Sequence, residues 1–130
     1  MDPGDKRIEW LDGAVVSRLT PGPLLKYGTH SPFGVLAYIS DGVVFRKRFS
    51  PVQDLHADNG CNVEVYADAD SAEFETLGPL AALQPGKSCV HKELWEFEPF
   101  SGDLFDIALL RSAALGGLER PIEDGETNGG

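Results

Sequence analysis

Asp12-Gly13 stands between "RIEWL" and "AVVSRLT", and Asp41-Gly42 stands between "GVLAYIS" and "VVFRKRF". An Asp-Gly pair supplies the positive φ that a tight hairpin turn demands, and the alternating residues on either side supply its strands. Strands joined by only two residues must run antiparallel, because a parallel pair needs a crossover of a dozen residues or more. Two such hairpins in the first fifty residues therefore commit the chain to antiparallel β structure.

The same rhythm resumes after the loop "SPVQDLHADNG". "CNVEVYA" and "AEFETLG" follow it, and "PLAALQPGK" then leads to "SCVHKELWEFE". The total is about seven strands, punctuated by Asp-Gly and Pro-Gly pairs, with no internal repeat. "PGPLLKYGTHSPFG" is too rich in proline and glycine to be regular for long. In "SGDLFDIALLRSAALGG" the period changes: Leu104, Ile107, Leu110 and Ala114 recur at helical spacing. That predicts one amphipathic helix over about 103–115, capped by Ser101 or Asp103 and stopped by Gly116-Gly117, lying on a sheet or crossing its end. Residues 119–130 form a polar tail expected to fray. The expected fold is all-β, a single antiparallel β-sandwich domain over 1–130 with its core at about 7–98 and one C-terminal helix.

A chain of 130 residues, 42% hydrophobic, can bury a core without help from a metal or a disulfide. Its net charge of −10, from 21 acidic and 11 basic residues, repels phosphate backbones and anionic lipid. No nucleic-acid or membrane partner is therefore expected, and neutral or cationic ligands fit the global charge better. "MDPGDKRIEW" lacks the order of a secretory signal and no run approaches the ~20 apolar residues of a membrane span, so a cytoplasmic location is expected. Cys61 and Cys89 lack metal-ligand spacing; they read as two reduced, half-buried thiols, with a disulfide between neighbouring strands as the alternative. There is no phosphate loop, no GxSxG and no metal-spaced histidine pair, so neither a metal nor a cofactor is expected.

Three strands carry residues of chemical interest. In "CNVEVYADAD", burying Val63 and Val65 turns Asn62, Glu64 and Tyr66 to the other face. In "VVFRKRF", Phe45, Lys47 and Phe49 share one row and Val44, Arg46 and Arg48 the other. If the phenylalanine row faces the core, Lys47 must snorkel, pair with a carboxylate of the next strands, or line a ligand cleft. Glu73 and Glu75 share a face but lie in the most acidic stretch, which reads as a solvated edge. "HKELWEF" places His91, Glu93, Trp95 and Phe97 together. Sugar-binding sheets use such an indole beside polar groups, stacking the apolar face of a pyranose on the ring while carboxylates accept its hydroxyls.

"CNVEVY", followed by "LGPLAALQPGKSCVHKELWEF", resembles the C-terminal strands of the galactose mutarotase-like β-sandwich. Leu83-Gln84-Pro85-Gly86 and Trp95-Glu96-Phe97 match that family's Leu-x-Pro-Gly turn and closing aromatic-x-Phe. With "GVLAYISDGVVFRKRF" and "EFETLGPL", the pattern covers about residues 7–98 and looks closest to an uncharacterised bacterial branch. The resemblance implies a carbohydrate cleft on a concave sheet and, in aldose 1-epimerases, a strand glutamate that takes the anomeric proton while a histidine protonates the ring oxygen. Glu64 matches the base. The family's histidine comes from the first half of a domain about twice this size, and His30 and His56 lie in loop-like stretches that do not match its motif. The chain thus looks like the second half of the sandwich, with open strand edges and an uncovered face that dimerisation or the helix would have to close.

Three readings follow. The chain is a carbohydrate-binding domain with Lys47, His56, Asp58, Asn62, Glu64, Tyr66 and Trp95 as cleft residues; or an aldose 1-epimerase with Glu64 as base and His56 or His30 as acid; or a ligand-free structural module whose open edge or face makes a homodimer.

Overall fold

The computed structural model describes residues 4–54 and 56–116. Both Asp-Gly pairs turn the chain. Gly13 (φ 71) joins β1 (Ile8–Leu11) to β2 (Ala14–Ser17), and Asp41 (φ 50) with Gly42 (φ 77) joins β4 (Val35–Ser40) to β5 (Val43–Arg48). Four more strands, β3 (Leu25–Thr29), β6 (Val63–Ala67), β7 (Ala72–Thr76) and β8 (Leu94–Pro99), complete three antiparallel sheets. Their orders are β1-β2, β3-β6-β7 and β4-β5-β8.

Two expectations need correcting here. The proline- and glycine-rich segment, which is not among the seven expected strands, contains the short β3, whose Leu25 and Tyr27 are buried beside Val65 and Ala67. Alternation over Leu25, Tyr27 and Thr29 outweighs the nearby prolines, which stop short of the paired residues. The strand expected over "SCVHKELWEFE" is shorter and begins at Leu94, because it pairs only with β5, and β5 ends at Arg48 opposite Leu94. The preceding Gln84–Lys87 turn is closed by Lys87 N donating to Gln84 O at 3.0 Å, with Gly86 at φ 79.

The main core forms where the three sheets meet. Leu25, Tyr27, Val65 and Ala67 are packed by Ile8 and Val15 from the hairpin, Leu36 from β4 and Phe74 from β7. Tyr27 sets its ring edge-on to Trp10 at 6.2 Å and donates its hydroxyl to Ser17 Oγ at 2.8 Å. Tyr38 and Phe74, 4.9 Å apart, join the second and third sheets.

The helix runs Ile107–Leu115 and packs on β4 and β5. It starts later than expected because Asp106, rather than Ser101 or Asp103, caps it by accepting Leu109 N at 3.1 Å. Gly116 (φ 57) ends it, donating to Ser112 O at 3.0 Å. The expected tail, 119–130, lies outside the described residues.

The helix also reverses the expected facing of β5. Its more deeply buried row is Val44, Arg46 and Arg48, with Arg46 only 1% exposed. The C-terminal carbonyls of a helix lack intrahelical partners and carry the negative end of its dipole. Arg46 donates to Ala114 O at 2.6 Å and Ala113 O at 2.5 Å, and Arg48 donates to Leu115 O at 2.9 Å. From β8, Glu96 and Glu98 supply the countercharge: Glu98 meets Arg46 at 3.0 Å, and Glu96 bonds both arginines. A Cβ on Gly116 would lie 2.6 Å from the Arg46 guanidinium carbon, so this cap needs glycine for space as well as for φ.

Candidate functional site

The other row of β5 faces away from the helix and builds the richest side-chain constellation among the described residues. Cross-strand pairing sets Lys47 opposite Trp95 and Phe45 opposite Phe97. Phe45 stacks on Phe97 at 4.8 Å and meets Trp95 edge-on at 5.4 Å. Trp95 is 56% exposed and Phe97 65%, so the platform is open to solvent.

Glu93 organises the polar side of that platform. It accepts the Trp95 indole Nε1 at 2.7 Å, accepts the Thr76 hydroxyl from β7, and pairs with Lys47 at 3.7 Å. Lys47 donates to Phe74 O at 2.7 Å and holds its ammonium 5.2 Å from the Trp95 ring centre. His91 Nε2 lies 2.8 Å from Thr76 Oγ1. Partial burial raises the Glu93 carboxyl, but the Thr76 and Trp95 hydrogen bonds and the charges of Lys47 and His91 outweigh it and bring it below the usual carboxylate range. The result is a fixed carboxylate, an ammonium, an imidazole and a hydroxyl beside flat apolar rings. Lys47 has the carboxylate partner its position called for. Thr76 carried no warning in the sequence, since its strand belongs to a different sheet from β8.

Glu64 occupies a different setting. It sits in the central strand β6, between Gly28 and Glu75. A Cβ at position 28 would lie 2.8 Å from Cys61 Sγ and 3.4 Å from Glu64 Cγ, so Gly28 makes room for both side chains. Partial burial raises the Glu64 carboxyl, a hydrogen bond with Asp58 and its charge raise it further, Glu75 adds to the rise, and Lys26 opposes it. Burial and the charges of Glu64 and Asp58 push up the Cys61 thiol. Asp58 reaches this place from a turn, Ala57–Gly60, in which Asp58 (φ 49), Asn59 (φ 60) and Gly60 (φ 86) are all left-handed.

The remaining candidates are dispersed. Asn62, expected beside Glu64 and Tyr66, is 0% exposed; its Oδ1 accepts Ser31 N at 2.6 Å and its Nδ2 donates to Ser31 O at 3.1 Å. Its side chain is thus occupied in fixing the chain between β3 and β4. His56 is buried, with Nδ1 2.8 Å from Asp54 O and its ring 6.5 Å from that of His30. Among the described residues neither histidine is hydrogen-bonded to Glu64. Tyr66 is half-buried on β6, opposite Lys26 and Glu73. Both cysteines are free, and Cys89 is exposed rather than half-buried. Among the described residues no helix is long and apolar enough to cross a membrane.

A cavity of about 650 Å³ lies on the Val63 and Val65 side of β6, the side Glu64 turns away from. The structure therefore separates three places: the Trp95 platform, the Glu64 carboxyl cluster and a half-open apolar cavity. No protein-family model, curated protein or solved structure matches the chain.

Proposed function

We propose that the domain binds carbohydrate on the open face of β5 and β8 and does not turn it over. The observation that carries this reading is the half-exposed Trp95 ring, fixed through its Nε1 by Glu93 and met edge-on by Phe45. A pyranose has an apolar face that stacks on such a ring, and equatorial hydroxyls that need nearby donors and acceptors. Glu93, Lys47 and His91 offer both, Lys47 from β5 and the other two from the segment that leads into β8. The proposed relationship to mutarotase-like sandwiches agrees with a sugar as ligand, but catalysis requires an acid and a base that both reach one sugar. Asp58 lies close enough to Glu64 to raise its carboxyl, and among the described residues no histidine is hydrogen-bonded to it, which favours binding alone.

Calorimetric titration with xylo-, gluco- and galacto-oligosaccharides tests the proposal, with polarimetry of free aldoses run on the same samples. Saturable heats lost in Trp95→Ala, with no change in the rate of α/β interconversion, are expected. Interconversion abolished by Glu64→Gln would instead establish the epimerase. A second reading has its own support: β8 is an edge strand, and Leu94, Trp95 and Phe97 are exposed along it, a pattern that also suits pairing with a second copy. Light scattering that gives a dimer dissociated by Trp95→Ala, without sugar binding, would replace the carbohydrate reading by that one.

A further inference from the structure

A half-open apolar cavity on the Val63 and Val65 side of β6 is the second place where a ligand would fit. Well-packed domains hold few voids larger than a water molecule, whereas small-molecule sites occupy roughly 300–1,000 Å³, mostly apolar with a few placed polar groups. The cavity of about 650 Å³ is walled by Val15, Leu36, Val63, Val65, Phe74 and Leu110, drawn from the hairpin, all three sheets and the helix. It is open to solvent on one side, so a ligand can enter without the domain unfolding, and its apolar wall is left in contact with water until something covers it.

Its electrostatics decide the ligand class. The chain carries 21 acidic residues, yet none of the residues lining this cavity is Asp or Glu. The charged side chains there are Arg18 and Arg111, with His30 nearby. Arg18 is engaged, donating to Leu104 O at 2.8 Å and lying 4.8 Å over the Phe105 ring. Arg111 is exposed, reaches from the helix toward the hairpin turn at Gly13, and makes no hydrogen bond or ion pair among the described residues. A local cationic rim focuses the field at a cavity mouth whatever the net charge of the molecule.

We infer that this cavity takes a small amphipathic carboxylate, a fatty acid of medium chain length, with the hydrocarbon among the valines and leucines and the carboxylate on Arg111. The site is independent of the Trp95 platform, so it stands or falls separately from the sugar proposal.

The two tryptophans make the test selective, because Trp10 lines the cavity and Trp95 does not. In the full chain carrying Trp95→Phe, dodecanoate is titrated against the Trp10 fluorescence and indole resonance, with dodecanol and glucose alongside. One-to-one saturation by dodecanoate is expected, weakened at least tenfold in Arg111→Met, while dodecanol is indifferent to that substitution. Arg111 is exposed, so its loss leaves the fold intact, and circular dichroism checks this. An unmoved Trp10, uptake of many equivalents without saturation, or equal dodecanoate affinity in Arg111→Met would each overturn the inference.

Discussion

The two faces of β5 hold cations for opposite purposes. On one, Arg46 and Arg48 are buried and fully committed, closing the helix C-terminus with three backbone carbonyls and two glutamates. On the other, Lys47 is held against Glu93 beside aromatic rings that remain open to solvent. Planar guanidinium groups suit the first task, because they can serve several acceptors at fixed angles; a single ammonium suits the second. Burial of charge here marks architecture, whereas exposure of apolar rings marks the candidate site.

The largest effect should come from the buried face. Arg46→Leu strands the Ala113 and Ala114 carbonyls and removes the partner of Glu98, at a cost of about 3 kcal/mol in urea unfolding. Lys47→Leu should cost ~1 kcal/mol or less, since its salt bridge is partly solvated. Equal losses would erase the distinction between the faces. Next, Trp95→Ala should weaken sugar binding about tenfold, or ~1.4 kcal/mol, the scale of one aromatic contact. Its Tm should barely change, because the ring already faces water; a large drop would mean that the ring is core.

Protonation sharpens the comparison at smaller magnitude. The Arg48 hydrogen bond holds the Glu96 carboxyl below its usual value of 4.5 despite partial burial, and both arginine charges add to this. A carboxyl depressed in the folded state contributes stability above its unfolded pKa and loses it as pH falls through the folded one. Glu96→Gln should therefore lower stability by ~1 kcal/mol or less at neutral pH, with the difference closing below about pH 4.5. Glu64 has the opposite sign. Its raised carboxyl is most favourable below the unfolded pKa and loses that contribution as pH rises through the folded one, so Glu64→Gln should raise the Tm slightly at pH 7 and leave sugar affinity unchanged.

The turns were the most legible part of the sequence. Asp41-Gly42 reads directly because only residues tolerant of positive φ close a two-residue hairpin. The antiparallel character and the C-terminal helix followed from the same local signals. What escaped was decided by distant partners. Period-two alternation divides β5 into two rows but does not say which is inside, and the arginine row is covered because a helix some seventy residues later places its carbonyls there. Asn62 resembled a site residue for the same reason: in sequence it is an amide beside a glutamate, and only the approach of Ser31 makes it a clamp. The grouping of His91, Glu93, Trp95 and Phe97 was visible as alternation, whereas Thr76 entered only because the end of β7 meets the segment that leads into β8.

The most direct test of the carbohydrate proposal is a ¹⁵N-labelled titration with oligosaccharide that follows the two indole resonances together. The account predicts that Trp95, with Glu93 and Phe97 around it, shifts saturably while Trp10 stays still. An unmoved Trp95 at saturating sugar, or shifts centred on Glu64 and His56, would contradict it.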